Sequence, residues 1–410
     1  MENRPPVTER TGAAHLSAEA TEFAPDVMDL LGETLLRALK HASPKAGTED
    51  LLAALVMGDS AAGAAIAPGM RRAGALSGVI SGRAGRGWVS DDNDDGDGNG
   101  DGTSAVAADE HGHDHEHEVA AAWRLAQWRT AQRSRRPVTE GDQQWPELSG
   151  ALRACLLHAL RLARGEASPG VRCRHVARAL LDFPDSRARE AFTLRRLDLA
   201  AAYAALDTLD TEDAATAGTD EPESAAVTLL LRAGVLEDRG NWLARALTSW
   251  MTWSTGDGTP VLFAVSAESS RQAVRCGRSA AEPVDLLLAV LALDRALSLA
   301  GRSLPEERAA VNEAAGLLRT HGVRPASLAL SAVAADPLPV SGEVPLSAEA
   351  ERTLAVARLS AAEHRATTVG TVHLVAALLD DAEGPVAQRL RAQGVDLAAL
   401  KTGLSLRLSA

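Results

Sequence analysis

The stretch Thr48-Glu49-Asp50-Leu51-Leu52-Ala53-Ala54-Leu55-Val56 returns near the other end of the chain as Thr371-Val372-His373-Leu374-Val375-Ala376-Ala377-Leu378-Leu379. Two looser copies stand between them, Cys173-Arg174-His175-Val176-Ala177-Arg178-Ala179-Leu180-Leu181 and Pro283-Val284-Asp285-Leu286-Leu287-Leu288-Ala289-Val290-Leu291. Recurrence of a short Leu/Ala-rich cassette marks one helical unit used several times, so the chain reads as an array. The cassette carries few reactive groups, which directs the search for function toward binding surfaces.

The surroundings of the cassette agree with that reading. The chain has 410 residues, 46% of them hydrophobic but only 3% aromatic. Its apolar content is mostly Ala and Leu, which favours helices over strands. In the copy nearest the C-terminus, Ser347 offers an N-cap for a helix over 348–363, and Thr371 for a short apolar helix over 372–379. Pro385 opens a third helix that Gly394 closes, and a fourth runs over 397–404. The expected fold class is all-α, tandem degenerate repeats of four to five helices arranged as two or more paired units. The expected boundaries are a disordered N-terminus over 1–18, repeat one over 19–82, a disordered acidic and His-rich linker over 83–118, and a helix plus repeat two over 119–209. A linker over 210–224, a helical insert or decayed repeat over 225–257, repeat three over 258–334, a linker over 335–344 and repeat four over 345–410 complete the chain. The decayed copy is suggested by Leu230-Leu231-Arg232-Ala233-Gly234-Val235, a repeat-like tail with no cassette before it.

Charge and cysteine content narrow the function classes. The net charge of −13 is concentrated in 91–118, which holds eleven Asp or Glu and no Lys or Arg; the remaining residues sum to −2 (−13 plus 11). No basic face for nucleic acid stands out. Three widely spaced cysteines, Cys155, Cys173 and Cys276, fit a reducing cytosol better than a disulfide framework. The N-terminus has no apolar signal core, and the longest apolar run, Leu286 to Leu293, is too short to span a bilayer. A cytoplasmic protein without membrane or nucleic-acid partners is expected.

The motif Gly-Thr-x-His-Leu ahead of a Leu/Ala-rich helix, with a Leu-x-x-x-Gly-Val-Asp tail, resembles the Clp repeat; 345–405 carries it best, 20–82 less well, and 146–209 and 258–334 weakly. Two such repeats form the small N-terminal domain of Clp-family AAA+ unfoldases. The resemblance implies protein or peptide ligands, possibly a Clp unfoldase or its substrates, received by an adaptor, decoy or sequestering protein. A phosphate-binding Walker A loop needs a lysine after glycine, and none of Lys40, Lys45 and Lys401 provides one, so no ATP hydrolysis and no cofactor are expected. In some members of the family the Glu of Gly-Thr-Glu-His helps bind phosphorylated arginine. Only Glu49 retains it here; Arg174, Val284 and Val372 hold the equivalent positions. The resemblance therefore points to Gly47, Thr48 and Glu49 in repeat one, and Gly370, Thr371 and His373 in repeat four, as peptide-binding candidates. Backbone N–H groups at those helix starts are expected to seat an anionic group.

Other motifs carry less. Asp91, Asn93, Asp95 and Gly96 match the first half of a calcium loop, but Gly102 stands where the closing Glu belongs, and the half-match repeats in several registers. The alternating His111, His113, His115 and His117 are weak metal candidates. In 119–136, Trp123 and Trp128 are expected to pack on repeat two with the arginines outside. Trp242, Trp250 and Trp253 read as core or as a partner patch. The forms nearest to Gly-x-Ser-x-Gly, at Ser60, Ser279 and Ser303, lack the second glycine. Cys173 with His175 is the one hint of a thiol–imidazole pair, and residues two apart on a helix face different sides. The chain is expected not to be an enzyme; a scaffold outside the Clp system and a Cys/His enzyme are the rivals.

Overall fold

The computed structural model describes residues 21–70, 75–83, 87–90, 92, 112–134, 145–216, 224–236, 259–337 and 342–409. The N-terminal expectation over 1–18, the calcium half-loop beyond Asp92, His111 and the three tryptophans Trp242, Trp250 and Trp253 lie outside them.

The fold is all-α and built from the repeat. Repeat one runs β1 (Glu22–Phe23), α1 (Pro25–Lys40), β2 (Lys45–Ala46), α2 (Thr48–Met57), α3 (Ala61–Ile66) and α4 (Ala75–Arg83). After the long helix α5 (Gly112–Ser134), repeat two follows as β3 (Glu147–Leu148), α6 (Gly150–Gly165), β4 (Gly170–Val171), α7 (Cys173–Asp182), α8 (Arg187–Leu194) and α9 (Leu199–Thr216). Helix α10 (Ala225–Arg232) precedes repeat three, which comprises α11 (Pro260–Arg275), α12 (Pro283–Leu299), α13 (Glu306–Ala309), a 3-10 turn over Ala310–Asn312, α14 (Ala314–Thr320) and α15 (Pro325–Ser331). Repeat four is α16 (Ala348–Glu363), α17 (Thr371–Leu378), α18 (Pro385–Ala392) and α19 (Leu397–Leu408). Ser347, Ser149 and Ser186 accept from the amide three residues on at the starts of α16, α6 and α8, and Pro opens α1, α11, α12, α15 and α18. These are the caps that stop the preceding loop from continuing the helix.

Helix ends repeat as faithfully as helix starts. After the first helix of each repeat the chain enters the left-handed region at Ala42 (φ 51°), Ala167 (52°), Gly277 (76°) and Arg365 (53°). The next amide then reaches back to the helix, as in Ser43 N–H to Ala38 O at 3.0 Å and Ala366 N–H to Ala361 O at 2.9 Å. Third helices close in the same way at Arg196, Gly322 and Gly394, and α10 does so at Gly234, which fits its reading as a repeat tail.

Repeats pair two by two. In repeats one, two and four the segment before the first helix lies parallel to the segment before the second helix of the partner repeat. Thus β1 pairs with β4, β2 with β3, and Ala281 with Leu346 in the second unit. Each unit has its own core. One gathers residues from Phe23 to Leu206 together with Ala273, Val274, Ala281 and Val344, the other residues from Ala226 to Leu404. Leu31, Leu35, Leu51, Leu52 and Leu55 are almost wholly buried in the first core, and each such side chain is worth about 1.5–3 kcal/mol.

The linker expected over 83–118 ends earlier than its expected bound, and residues 84–86, 91 and 93–111 of it lie outside the described residues. Helix α5 starts at Gly112, inside that range, and Asp92 is fully buried. The acidic composition hides partners. Glu118 accepts a two-pronged bond from Arg275, with Nη2 at 2.8 Å and Nη1 at 3.3 Å. The placement of α5 also differs from expectation. It packs on α1, α6 and α11, so it bridges the two units, and Ala273 and Val274 of α11 join the first core. Trp123 is buried there and donates to Pro146 O at 3.2 Å, next to repeat two as expected. The arginines are not all outside. Arg124 donates to Arg275 O, and Arg129 and Arg133 pair with Asp29 at 3.1 and 2.9 Å. The linker expected over 210–224 is likewise shortened, because α9 continues to Thr216.

Candidate functional site

The cassette helices α2, α7, α12 and α17 share one local device. The third residue of each accepts a hydrogen bond from the amide before the helix. Gly47 N–H donates to Asp50 at 3.4 Å, Arg172 N–H to His175 at 2.8 Å, Glu282 N–H to Asp285 at 2.8 Å and Gly370 N–H to His373 at 3.2 Å. This is the return half of a capping box. The position needs a side chain with an acceptor, which Asp and His both supply here. His373 is therefore a buried helix cap, not a group presented to a ligand.

The same side chains tie each second helix to the end of the first. Asp50 lies 3.5 Å from His41, His175 lies 3.0 Å from Glu166, and Asp285 lies 3.1 Å from the Arg278 Nε. Repeat four departs from the pattern. There, burial with His364 alongside holds His373 below the usual imidazole range.

The first amide of each cassette helix is the group that could seat an anion, and none is open. Thr48 N–H donates to Asp92 Oδ2 at 2.7 Å, Cys173 N–H to Asp26 Oδ2 at 3.3 Å and Thr371 N–H to Asn312 Oδ1 at 2.9 Å; Pro283 has no N–H to offer. The expectation of free helix amides at Gly47-Thr48 and Gly370-Thr371 is overturned: side chains of the same chain already fill them. The two glycines show how closely. A Cβ on Gly47 would lie 2.0 Å from Glu49 Oε2, and one on Gly370 would lie 2.1 Å from Val311 O.

Glu49 is the guanidinium acceptor foreseen from the sequence, and it holds a guanidinium of the chain itself. Its Oε1 lies 3.0 Å from Arg187 Nη1 of repeat two. Burial, reinforced by the carboxylates of Asp92 and Asp50, pushes its pKa up to about 7 against the pull of Arg187. Its Oε2 is buried with no partner among the described residues. Sequence reasoning missed Asp92, Arg187 and Asn312, because each lies in another segment from the cassette it serves.

The remaining candidates are quickly placed. Cys155, Cys173 and Cys276 are free and buried, and burial raises all three thiols, Cys276 to about 11. His175 gives both ring nitrogens to Arg172 N–H and Glu166, so it does not serve Cys173. His115 and His117 are two apart on α5 and face different sides. Burial, with Arg275 and Arg124 adding to it, lowers His117 to about 4. Among the described residues no three His, Cys, Asp or Glu converge as metal ligands, and no helix is long and apolar enough to cross a membrane.

A cleft of about 70 Å³ lies between the units, lined by Glu22, Glu118, Arg164, Arg275, Arg295 and Arg319 among others. Its charges answer one another. Arg275 pairs with Glu118 at 2.8 Å, Arg295 with Glu22 at 3.6 Å and Arg319 with Asp294 at 2.5 Å. Burial alone would raise Glu22, but Arg275, Arg271 and Arg295 together hold it well below the usual carboxylate range.

Caps, ties and crosswise pairing thus define one repeated element, sharpest in its last copy. No curated protein matches the chain. Residues 345–410 match the family model of the Clp repeat (R) N-terminal domain, which makes the fourth repeat a Clp repeat domain.

Proposed function

We propose that the protein is a non-catalytic binding protein of the Clp unfoldase system, acting on protein or peptide partners as an adaptor, decoy or sequestering protein. The observation that carries this reading is the Clp repeat domain at 345–410, a type of domain that works by protein interaction. Support for the non-catalytic part comes from the cysteines, which are buried with raised pKa values, and from His175, whose ring nitrogens are both engaged away from Cys173. Repeat four also leaves two large side chains in solvent, Leu359 at 65% and Leu406 at 68% exposure, which makes them the positions to alter in a binding test.

The test is direct binding of the purified chain to a purified Clp unfoldase, read together with the unfoldase's turnover of a protein substrate. Saturable binding that alters turnover, and that Leu359→Glu with Leu406→Glu weakens while the helical signal is unchanged, is expected. No binding and no effect on turnover defeats the reading. One observation favours the rival of a scaffold outside the Clp system: the first amides of three cassette helices, at Thr48, Cys173 and Thr371, already have partners within the chain. The same experiment separates the two.

A further inference from the structure

The cleft between the units has two chemistries in its lining. Helix α12 contributes Leu288, Leu291, Ala292 and Arg295, spaced three and four apart along one stripe of the helix. Pro325, Ala326 and Ala329 of α15 extend the apolar part. The rest is charged and comes largely from the first unit and the bridging helix, with Glu22 on β1, Arg164 on α6, and Asp114 and Glu118 on α5. An apolar wall beside a few convergent charges is the usual make-up of a small-molecule site.

The ion pairs across the cleft leave a positive remainder. Four arginines line it against three acids. Behind the lining, Asp294 answers Arg319, but Arg124, which donates to the Arg275 carbonyl, makes no ion pair among the described residues. Five cations therefore face four acids, an excess of one. The Nε groups of Arg275 and Arg295 are buried with no acceptor among the described residues, so this wall is also short of acceptors. Arg164 is the least committed guanidinium: it meets only Asp114, at 3.7 Å, and both side chains are partly exposed. The low pKa of His117 fits the same picture, because Arg275 and Arg124 add to the effect of burial.

Size narrows the occupant. The cleft offers about 70 Å³. One water takes about 10–15 Å³ on this scale, which leaves room for roughly five to seven non-hydrogen atoms. One excess positive charge suits a monoanion, and the leucine stripe suits an aliphatic body better than the bare oxygens of phosphate.

We propose that the cleft binds a short aliphatic carboxylate, with its head on Arg164 and its body on the Leu288–Leu291–Ala292 stripe, so that one ligand touches both units. The inference does not rest on the Clp partnership, because it concerns the seam between the units and not what the fourth repeat contacts.

The test is calorimetry of the full chain with isovalerate, acetate, isovaleramide and inorganic phosphate at matched ionic strength. Isovalerate is expected to bind at least about tenfold tighter than acetate, from the added apolar carbons. It should also bind at least about tenfold tighter than the uncharged isovaleramide, from the charge-assisted bond. N-acetylleucine, with a similar head and body on a peptide bond, separates two sources: its binding assigns a chain terminus, and its exclusion a free acid. Arg164→Gln is expected to weaken isovalerate about tenfold while the melting temperature stays within a few degrees, since a partly exposed pair adds little to stability. Arg164→Lys should restore part of the loss. Should Arg164→Gln not fold, Ala292→Leu carries the test by narrowing the cleft from its apolar side. A second readout is the His117 ring by NMR, whose titration midpoint should rise by about one pH unit with a carboxylate beside it. The proposal is overturned if isovalerate gives no heat and leaves His117 unmoved. Isovaleramide or phosphate binding as tightly as isovalerate, or Arg164→Gln binding it as wild type does, overturns it equally.

Discussion

The two units solve one problem with different chemistry. Each must close the junction where the second helix of one repeat meets the third helix of its partner. In the first unit a buried carboxylate from a distant segment does so, beside a buried Glu49–Arg187 pair. In the second unit Asn312 does so from the neighbouring turn, itself held by donation to Arg308 O at 2.8 Å. The backbone is the same and the filling is not. The first unit depends on a carboxylate and the second on a neutral amide. Repetition therefore fixes the scaffold and leaves the polar interior free to diverge.

The largest expected effect comes from cutting the link between the units. Arg275 and Glu118 are a buried pair joining α11 to α5. Arg275→Ala leaves Glu118 without its partner and is expected to cost about 3–5 kcal/mol. Urea unfolding followed by circular dichroism should then separate into two transitions, one per unit; a single transition at the wild-type midpoint counts against this link.

Next comes the contrast itself. Asp92→Ala removes charge-assisted bonds from buried donors and is expected to cost about 2–3 kcal/mol, whereas Asn312→Ala is expected to cost about 1 kcal/mol. Equal losses in chemical denaturation erase the distinction between a charged and a neutral junction.

The first unit also carries a pH dependence of its own through Glu49. Glu49 has a folded pKa of about 7 against the usual 4.5, so the folded chain holds its proton where the unfolded chain has released it. That contribution is fully present below pH 4.5 and is lost as pH rises through about 7. Raising the pH across this window is expected to weaken the first unit by at most about 3 kcal/mol, at about 1.4 kcal/mol for each pH unit between the two values. Hydrogen exchange of α2 amides measured across the window checks it. Glu49→Gln should flatten the profile, and a profile unchanged by the substitution removes Glu49 as its source.

The smallest effect should ignore the comparison altogether. Ala42, Ala167 and Arg365 hold left-handed backbone that glycine adopts without strain. Each replaced by Gly is expected to gain about 0.5–1 kcal/mol, alike in both units. Melting temperatures that fall instead show that the lost side chain mattered more than the strain.

Much of the scaffold was legible. The last repeat is read almost residue by residue, because Ser347, Pro385 and Gly394 are local signals acting within a turn or two of where they stand. The first helix ends were legible only at Gly277; Ala42, Ala167 and Arg365 take the same conformation without advertising it. Asp92 was hidden by its neighbours, since one aspartate in an acidic run looks like all the others. The early start of α5 was hidden for a similar reason, because the His and Glu residues that suggest a solvated linker include the partner of Arg275. The candidate site was legible in its positions and not in its state. The cassette marks the helix starts, but what fills them is fixed by tertiary contacts that no periodicity records.

The crosswise strands of the first unit have a further consequence for assembly. β1 and β3 each leave their own repeat to pair beside the other's second helix. This is the exchange that two separate subunits make when they dimerise by swapping arms, here carried out within one polypeptide. Each unit is in effect a fused dimer, and the chain is two such dimers in tandem. Their stoichiometry is set at translation, their association does not weaken on dilution, and one half of each pair is free to lose its symmetry because its mate can never be exchanged for another copy.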